Sequence, residues 1–153
     1  MFAKLCSSAA AGVAAAAIGF GALSSALADD AKQLVVVERA TSDTITDLGA
    51  KGDSVGDILT FANDIYDQSN ANKIGSDNGW CARTVAGQAW ECIWTVTLDK
   101  GQITVEGPFY DSKDSVLAIT GGTGEFAKAR GEMGLHARDS KGSAYDFSYS
   151  LVE

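Results

Sequence analysis

The sequence predicts an all-β fold: eight short antiparallel strands closed into a barrel, with a two-sheet sandwich as the alternative. Three observations carry this. Beyond residue 30, alternating or apolar runs are broken at short intervals by Gly, Asp, Asn and Ser. No segment there keeps a helical period for more than two turns. Eight such runs fit an up-and-down barrel, whose closure removes exposed sheet edges.

The predicted strands are residues 33–40, 57–63, 73–85, 89–98, 102–106, 116–120, 131–138 and 144–152. Turn chemistry separates them at Asp99-Lys100-Gly101, at Gly121-Gly122 and at Asp139-Ser140-Lys141-Gly142. The hairpin at Ala86-Gly87 fixes a register. If those two residues form the turn, Val85 faces Gln88, Arg83 faces Trp90 and Cys81 faces Cys92. Opposed residues lie close enough for a disulfide. Alternation then puts Cys81, Arg83, Trp90, Cys92 and Trp94 on one face, and Trp80, Glu91 and Ile93 on the other. The first face reads either as a packed interior with a cross-strand staple or as a cavity wall. An arginine among tryptophans favours the wall.

Residues 1–28 read as a secretory signal peptide. Lys4 precedes a long uncharged run to Leu27, and Ala26-Leu27-Ala28 fits small-x-small cleavage. A retained anchor is the rival reading. Cleavage leaves one domain, residues 29–153, in an exported, periplasmic or secreted, chain with no membrane contact of its own. Of the 153 residues 125 remain, enough for one core. Lys4 is the only charge removed, so the formal net charge moves from −8 to −9. Such an acidic chain is repelled by phosphate backbones, which argues against nucleic-acid binding. Cys6 leaves with the leader. The remaining pair, Cys81 and Cys92, suits a disulfide in an exported protein, its redox state left open.

Other motifs carry less. Gly52-Asp53-Ser54-Val55-Gly56 matches G-x-S-x-G, with Asp114 and His136 downstream. The strand-to-helix elbow of a hydrolase is missing, so the glycines read as a loop. His136 shares a polar strand face with Glu132 and Arg138 and reads as solvated. Gly121-Gly122-Thr123-Gly124 lacks the Lys-Ser/Thr of a phosphate loop. One histidine and two well-separated cysteines build no usual zinc site, so no metal is expected.

Two stretches together resemble the allene oxide cyclase family, with dirigent proteins as cousins on the same eight-stranded barrel. One is GDILTFANDIYD (56–67) followed by IGSDNGWC (74–81). The other is ITVEGPFYDSKDSVLAITGGTGEFAKARG (103–131). The plant cyclases show similar runs in the same order. The resemblance implies cyclisation of an unstable unsaturated fatty-acid epoxide to a cyclopentenone, without a cofactor. The site would bend the substrate, exclude water and stabilise developing charge.

Carried over by position, the resemblance implies Glu38 as the carboxylate beside the cation and Asn63 as the amide holding an oxygen or a water. Phe61, Cys81, Trp90 and Phe109 would shape the cavity. Trp94 joins them on the hairpin face, and Arg83 is placed to anchor a substrate carboxylate. The second asparagine of the family pattern is Ala40 here, and the tyrosine after Gly-Pro is Phe109. The expected partner is a small hydrophobic molecule, fatty-acid-derived or phenolic. Plant relatives form trimers, so a homotrimer is expected. The expected function is an exported, cyclase-like isomerase acting on an unsaturated, oxygenated lipid. The alternative is a dirigent-like guide or a non-catalytic binder of small hydrophobic ligands.

Overall fold

The structure, a computed structural model, describes residues 31–152; the expected signal peptide lies outside them. Nine strands form one sheet. They are β1 (Lys32–Arg39), β2 (Thr44–Thr46), β3 (Ile58–Asp67), β4 (Lys73–Val85), β5 (Ala89–Leu98), β6 (Gly101–Tyr110), β7 (Ser115–Gly122), β8 (Arg130–Ala137) and β9 (Ala144–Val152). The only helix among the described residues is a 3-10 turn, Gly124–Phe126.

Each strand from β3 to β9 pairs antiparallel with the next. β1 then closes the ring, pairing with β9 on one side and with β3 on the other. The result is a closed eight-stranded barrel, as the alternation of inward and outward residues predicted. β2 is the extra strand. It takes the edge of β3 at residues 58–60, while β1 holds that edge at residues 64–67. All three β2 residues are exposed, so no burial pattern marked them in the sequence.

Strand positions agree with the sequence reading, and the lengths differ most at β6 and β3. Expected to end at Asn63, β3 runs to Asp67 with Ile65 fully buried. Polar Asn63 looked like a strand end, but it faces inward and finds partners there. β6 likewise continues through Gly-Pro to Tyr110. Pairing to β7 ends at Glu106, so Pro108, which has no N–H, interrupts no ladder on that side.

The β4–β5 hairpin has the expected register at Cys81↔Cys92 and Arg83↔Trp90. Its tip differs. Val85 faces Ala89 rather than Gln88, with a bulge at Thr84. Gly121 and Gly122 are not a turn but the end of β7, opposite Thr104 and Ile103. The positive φ falls instead at Gly124, +61°.

Inward side chains fill most of the barrel. Val36, Ile65, Val96, Ile103, Val105, Leu117, Met133, Phe147 and Tyr149 are each 1% exposed or less. Gly79 faces the same interior, where a Cβ would collide with Trp94.

Candidate active site

The inner pocket is small, about 50 Å³, room for a few waters or one functional group. Its wall is largely apolar: Leu59 and Phe61 of β3, the Cys81–Cys92 disulfide bridging β4 and β5, Trp94 of β5, Phe109 of β6, Leu135 of β8 and Phe147 of β9. The polar groups lining it are Glu38 of β1, Asp43 and Tyr145 of β9. Trp94 is the hub of the aromatic wall, meeting Phe61 edge-on at 6.1 Å and Phe147 at 5.5 Å.

Outside lies a larger recess of about 580 Å³, formed by residues 109–114 and 139–142 with Leu135, Ala137 and Tyr145. Phe109, Leu135 and Tyr145 line both spaces. Phe109 and Tyr145 stand edge to face, ring centres 6.0 Å apart, and form the partition between them.

Glu38 alternates with buried Val36 and is 5% exposed. Its Oε1 accepts a 2.8 Å hydrogen bond from Asn63 Nδ2. Asp77 of β4 is 2% exposed, and its Oδ1 accepts the Asn63 backbone N–H at 3.1 Å. The other Asp77 oxygen is buried and meets no N–H or hydroxyl donor. The donor that fits is an acid proton on Glu38, whose side chain hydrogen-bonds Asp77. Two carboxyls can bond this way only if one keeps its proton. Burial first, and the Asp77 charge second, push Glu38 well above the usual carboxylate range. Burial also raises Asp77, to about 6, against the pull of its hydrogen bond to Glu38. Near neutral pH the pair holds one proton on Glu38 and one negative charge on Asp77. The Trp94 Nε1 and Tyr149 hydroxyl are also buried without partners among the described residues.

Asn63 is fully used. Its Oδ1 accepts from Thr41 N, Ser42 N and Ser42 Oγ at 2.9–3.0 Å, and its Nδ2 donates to Glu38 and to Asp43 Oδ1. The amide therefore ties the segment after β1 to the buried acid and has no donor left for a substrate. It positions Glu38, a different task from the oxygen-holding one expected of it.

Arg83 and Trp90 share the inward face of the hairpin but line neither the pocket nor the recess. The Arg83 guanidinium lies over Trp90 at 3.9 Å, takes Asp111 through Nη1 at 2.7 and 2.8 Å, and meets Asp53 through Nε at 2.6 Å. That last contact is a close ion pair without hydrogen-bond alignment. Asp53 also accepts the Gly87 N–H. Arg83 thus clamps three loops together, and its charge is already matched, so it is not placed as the carboxylate anchor the sequence suggested. The arginine is inside because two aspartates meet it there.

Ser54 of the G-x-S-x-G run bonds Leu48 O and Asp57, and Asp57 accepts the N–H groups of Leu48 and Ser54. These bonds hold the Asp57 carboxyl below its ordinary range and build a loop, as expected. His136 is 63% exposed, 2.8 Å from Asp114. Among the described residues no three acidic, His or Cys side chains come together as a metal site. No described helix is long and apolar enough to cross a membrane.

Sequence reasoning missed Asp77 and Tyr145. Asp77 was legible in principle, two residues before Gly79 and four before Cys81 on the inward face of β4. Tyr145, Phe147 and Tyr149 likewise share an inward period of two along β9.

The sequence model of the family described as "Allene oxide cyclase" matches residues 32–140. Among solved structures, pyocyanin demethylase is similar at 25% identity and a TM-score of 0.68, covering 79% of this chain and 100% of that one. A pterocarpan synthase dirigent protein is similar at 13% identity and a TM-score of 0.63, covering 78% and 92%. The exo-specific intermolecular Diels-Alderase AbnU is similar at 16% identity and a TM-score of 0.63, covering 78% and 96%. The last two likenesses are of fold alone. The match over most of the barrel assigns the chain to the allene oxide cyclase family.

Proposed function

We propose that this chain is an exported, cofactor-independent isomerase that cyclises an unsaturated, oxygenated lipid or a similarly apolar molecule. The observation that carries the proposal is Glu38, a buried acid on the wall of an otherwise apolar pocket with a second acid behind it. A pocket of about 50 Å³ admits the oxygen-bearing part of a substrate and not a whole chain. The remainder lies in the outer recess, past Phe109 and Tyr145.

The chemistry asks for no external reagent. Breaking the epoxide C–O bond leaves the electron pair on oxygen and a positive charge spread over the adjoining carbons. Ring closure forms a C–C bond, and the oxygen ends as a ketone. No proton, electron or leaving group is gained or lost. The one proton of the Glu38–Asp77 pair bridges the two carboxyls, and the pair's single negative charge favours the cation. The apolar wall withholds the water that would hydrolyse the intermediate.

The test is product analysis with a freshly generated allene oxide. Wild-type protein should raise the yield of cyclopentenone over hydrolysis product and give one enantiomer in excess. Glu38→Gln should return the spontaneous mixture while still binding a fatty acid. A wild-type product ratio equal to that of buffer ends the enzymatic reading.

The second reading, a dirigent-like guide or carrier, is favoured by one observation: Asn63 is fully engaged and Ala40 stands where the family pattern has another amide. It expects altered stereochemistry or retention of a ligand, with no acceleration.

A further inference from the structure

We propose that the Tyr145 hydroxyl holds the substrate oxygen, and that the ligands selected here are compact apolar molecules carrying a carbonyl or epoxide oxygen. This deepens the isomerase reading and rests on it.

The argument starts from what Asn63 cannot do. All its polar capacity is spent on Thr41, Ser42, Asp43 and Glu38. Glu38 gives its one proton to Asp77, so the oxygen still needs a donor. In the β1–β9 register Glu38 and Tyr145 are directly opposed, so both side chains leave the same face of adjacent strands. Both line the inner pocket. Tyr145 alone of the two also borders the outer recess, so its hydroxyl lies on the route of entry.

The Tyr145 ring is fixed rather than free. Phe109 packs on it edge-on at 6.0 Å. Gly142, at φ +65°, passes so close that a Cβ would collide with the hydroxyl. The turn between β8 and β9 is thus fitted around this oxygen by a residue that has no side chain. Among the described residues the hydroxyl makes no hydrogen bond of its own, so its donor remains available.

Its chemistry also fits. Burial, reinforced by Glu38, Asp43, Asp139 and Asp111, raises the phenol to about 12, so it keeps its proton at any ordinary pH. A neutral phenol between pocket and recess can donate its one hydrogen bond to an oxygen that gains negative charge. A carbonyl or epoxide oxygen offers two lone pairs for it. An apolar molecule of the same shape without the oxygen would leave that donor unpaired.

The test compares acetophenone with α-methylstyrene, which replaces the carbonyl oxygen by CH2 and keeps the shape. Binding is read by Trp fluorescence, and the carbonyl is read by infrared difference spectroscopy on carbonyl-13C acetophenone. The wild-type chain should prefer acetophenone by ~10- to 100-fold. The bound carbonyl band should lie well below its position in hexane. Tyr145→Phe should cut that preference ~10-fold and move the band back up, with the melting temperature little changed. Gly142→Ala should act in the same direction by displacing the hydroxyl. Equal wild-type affinity for the two probes, or a band that Tyr145→Phe leaves in place, overturns the role of Tyr145 alone. Failure of both probes to bind the wild type overturns the pocket reading beneath it.

Discussion

Replacing Asp77 by Asn should make the protein more stable at neutral pH and flatten its pH dependence. Asp77 is 2% exposed and sits beside buried Glu38. Its carboxyl is held at about 6 in the fold, against roughly 3.9 in an unfolded chain. A folded-state value above the unfolded one means that the group favours folding below about pH 4 and loses that contribution as pH rises through 6. By linkage the cost at pH 7 is on the order of 3 kcal/mol. Glu38 is shifted in the same direction, so it adds to the slope at higher pH. The opposite behaviour belongs to Asp57, Asp67 and Asp139, whose carboxyls are lowered by hydrogen bonds and lose their contribution only below about pH 4. The window from pH 4.5 to 7.5 therefore isolates the buried pair. Wild-type melting temperature should fall across it by roughly 10 °C, taking about 4 °C per kcal/mol for a barrel of this size. Asp77→Asn should remove most of that fall and gain stability at pH 7.5. The assay is thermal melting of both proteins at four pH values. Parallel curves for wild type and variant would refute the reasoning.

The other buried groups make separate predictions. Losing the disulfide in Cys81→Ser/Cys92→Ser, which closes a loop of sequence separation 11, should cost about 2–3 kcal/mol by the chain-entropy argument, read as a shift in urea midpoint. Asn63→Ala should cost about 2–4 kcal/mol, because it strips partners from Glu38 and from two backbone N–H groups. Hydrogen exchange should then show Thr41 and Ser42 losing protection. Arg83→Gln should destabilise by about 2–3 kcal/mol, since it leaves Asp53 and Asp111 facing each other, discounted because both aspartates are partly exposed. It should leave the preference for a fatty acid over its methyl ester unchanged; a lost preference would restore Arg83 as a substrate anchor.

The barrel was readable because its signal is local. Alternation in AWECIWTVTL and the opposed cysteines set one hairpin, and that hairpin's register predicted both the disulfide and the inward tryptophans. Glu38 came from the family resemblance, and in the barrel it shares the inward phase of Val36. What stayed hidden depends on contacts between distant strands. Asp77 had no role, and Asn63 a different one, until β3 and β4 pair and the Asn63 N–H meets Asp77 Oδ1. Arg83 read as a free cation in an apolar wall because Asp53 and Asp111 reach it from loops 30 and 28 residues away. Tyr145 gained meaning only on ring closure, which sets β9 against β1. The size of the pocket was also illegible, since it depends on how tightly Phe109, Tyr145 and Phe147 fill the barrel.

The account depends on a proton residing on Glu38 at neutral pH, and infrared spectroscopy reads that directly. Wild-type protein at pH 7 should show the C=O stretch of a protonated carboxylic acid, absent from Glu38→Gln. No such band at pH 7, or a band that persists unchanged in Glu38→Gln, would contradict it.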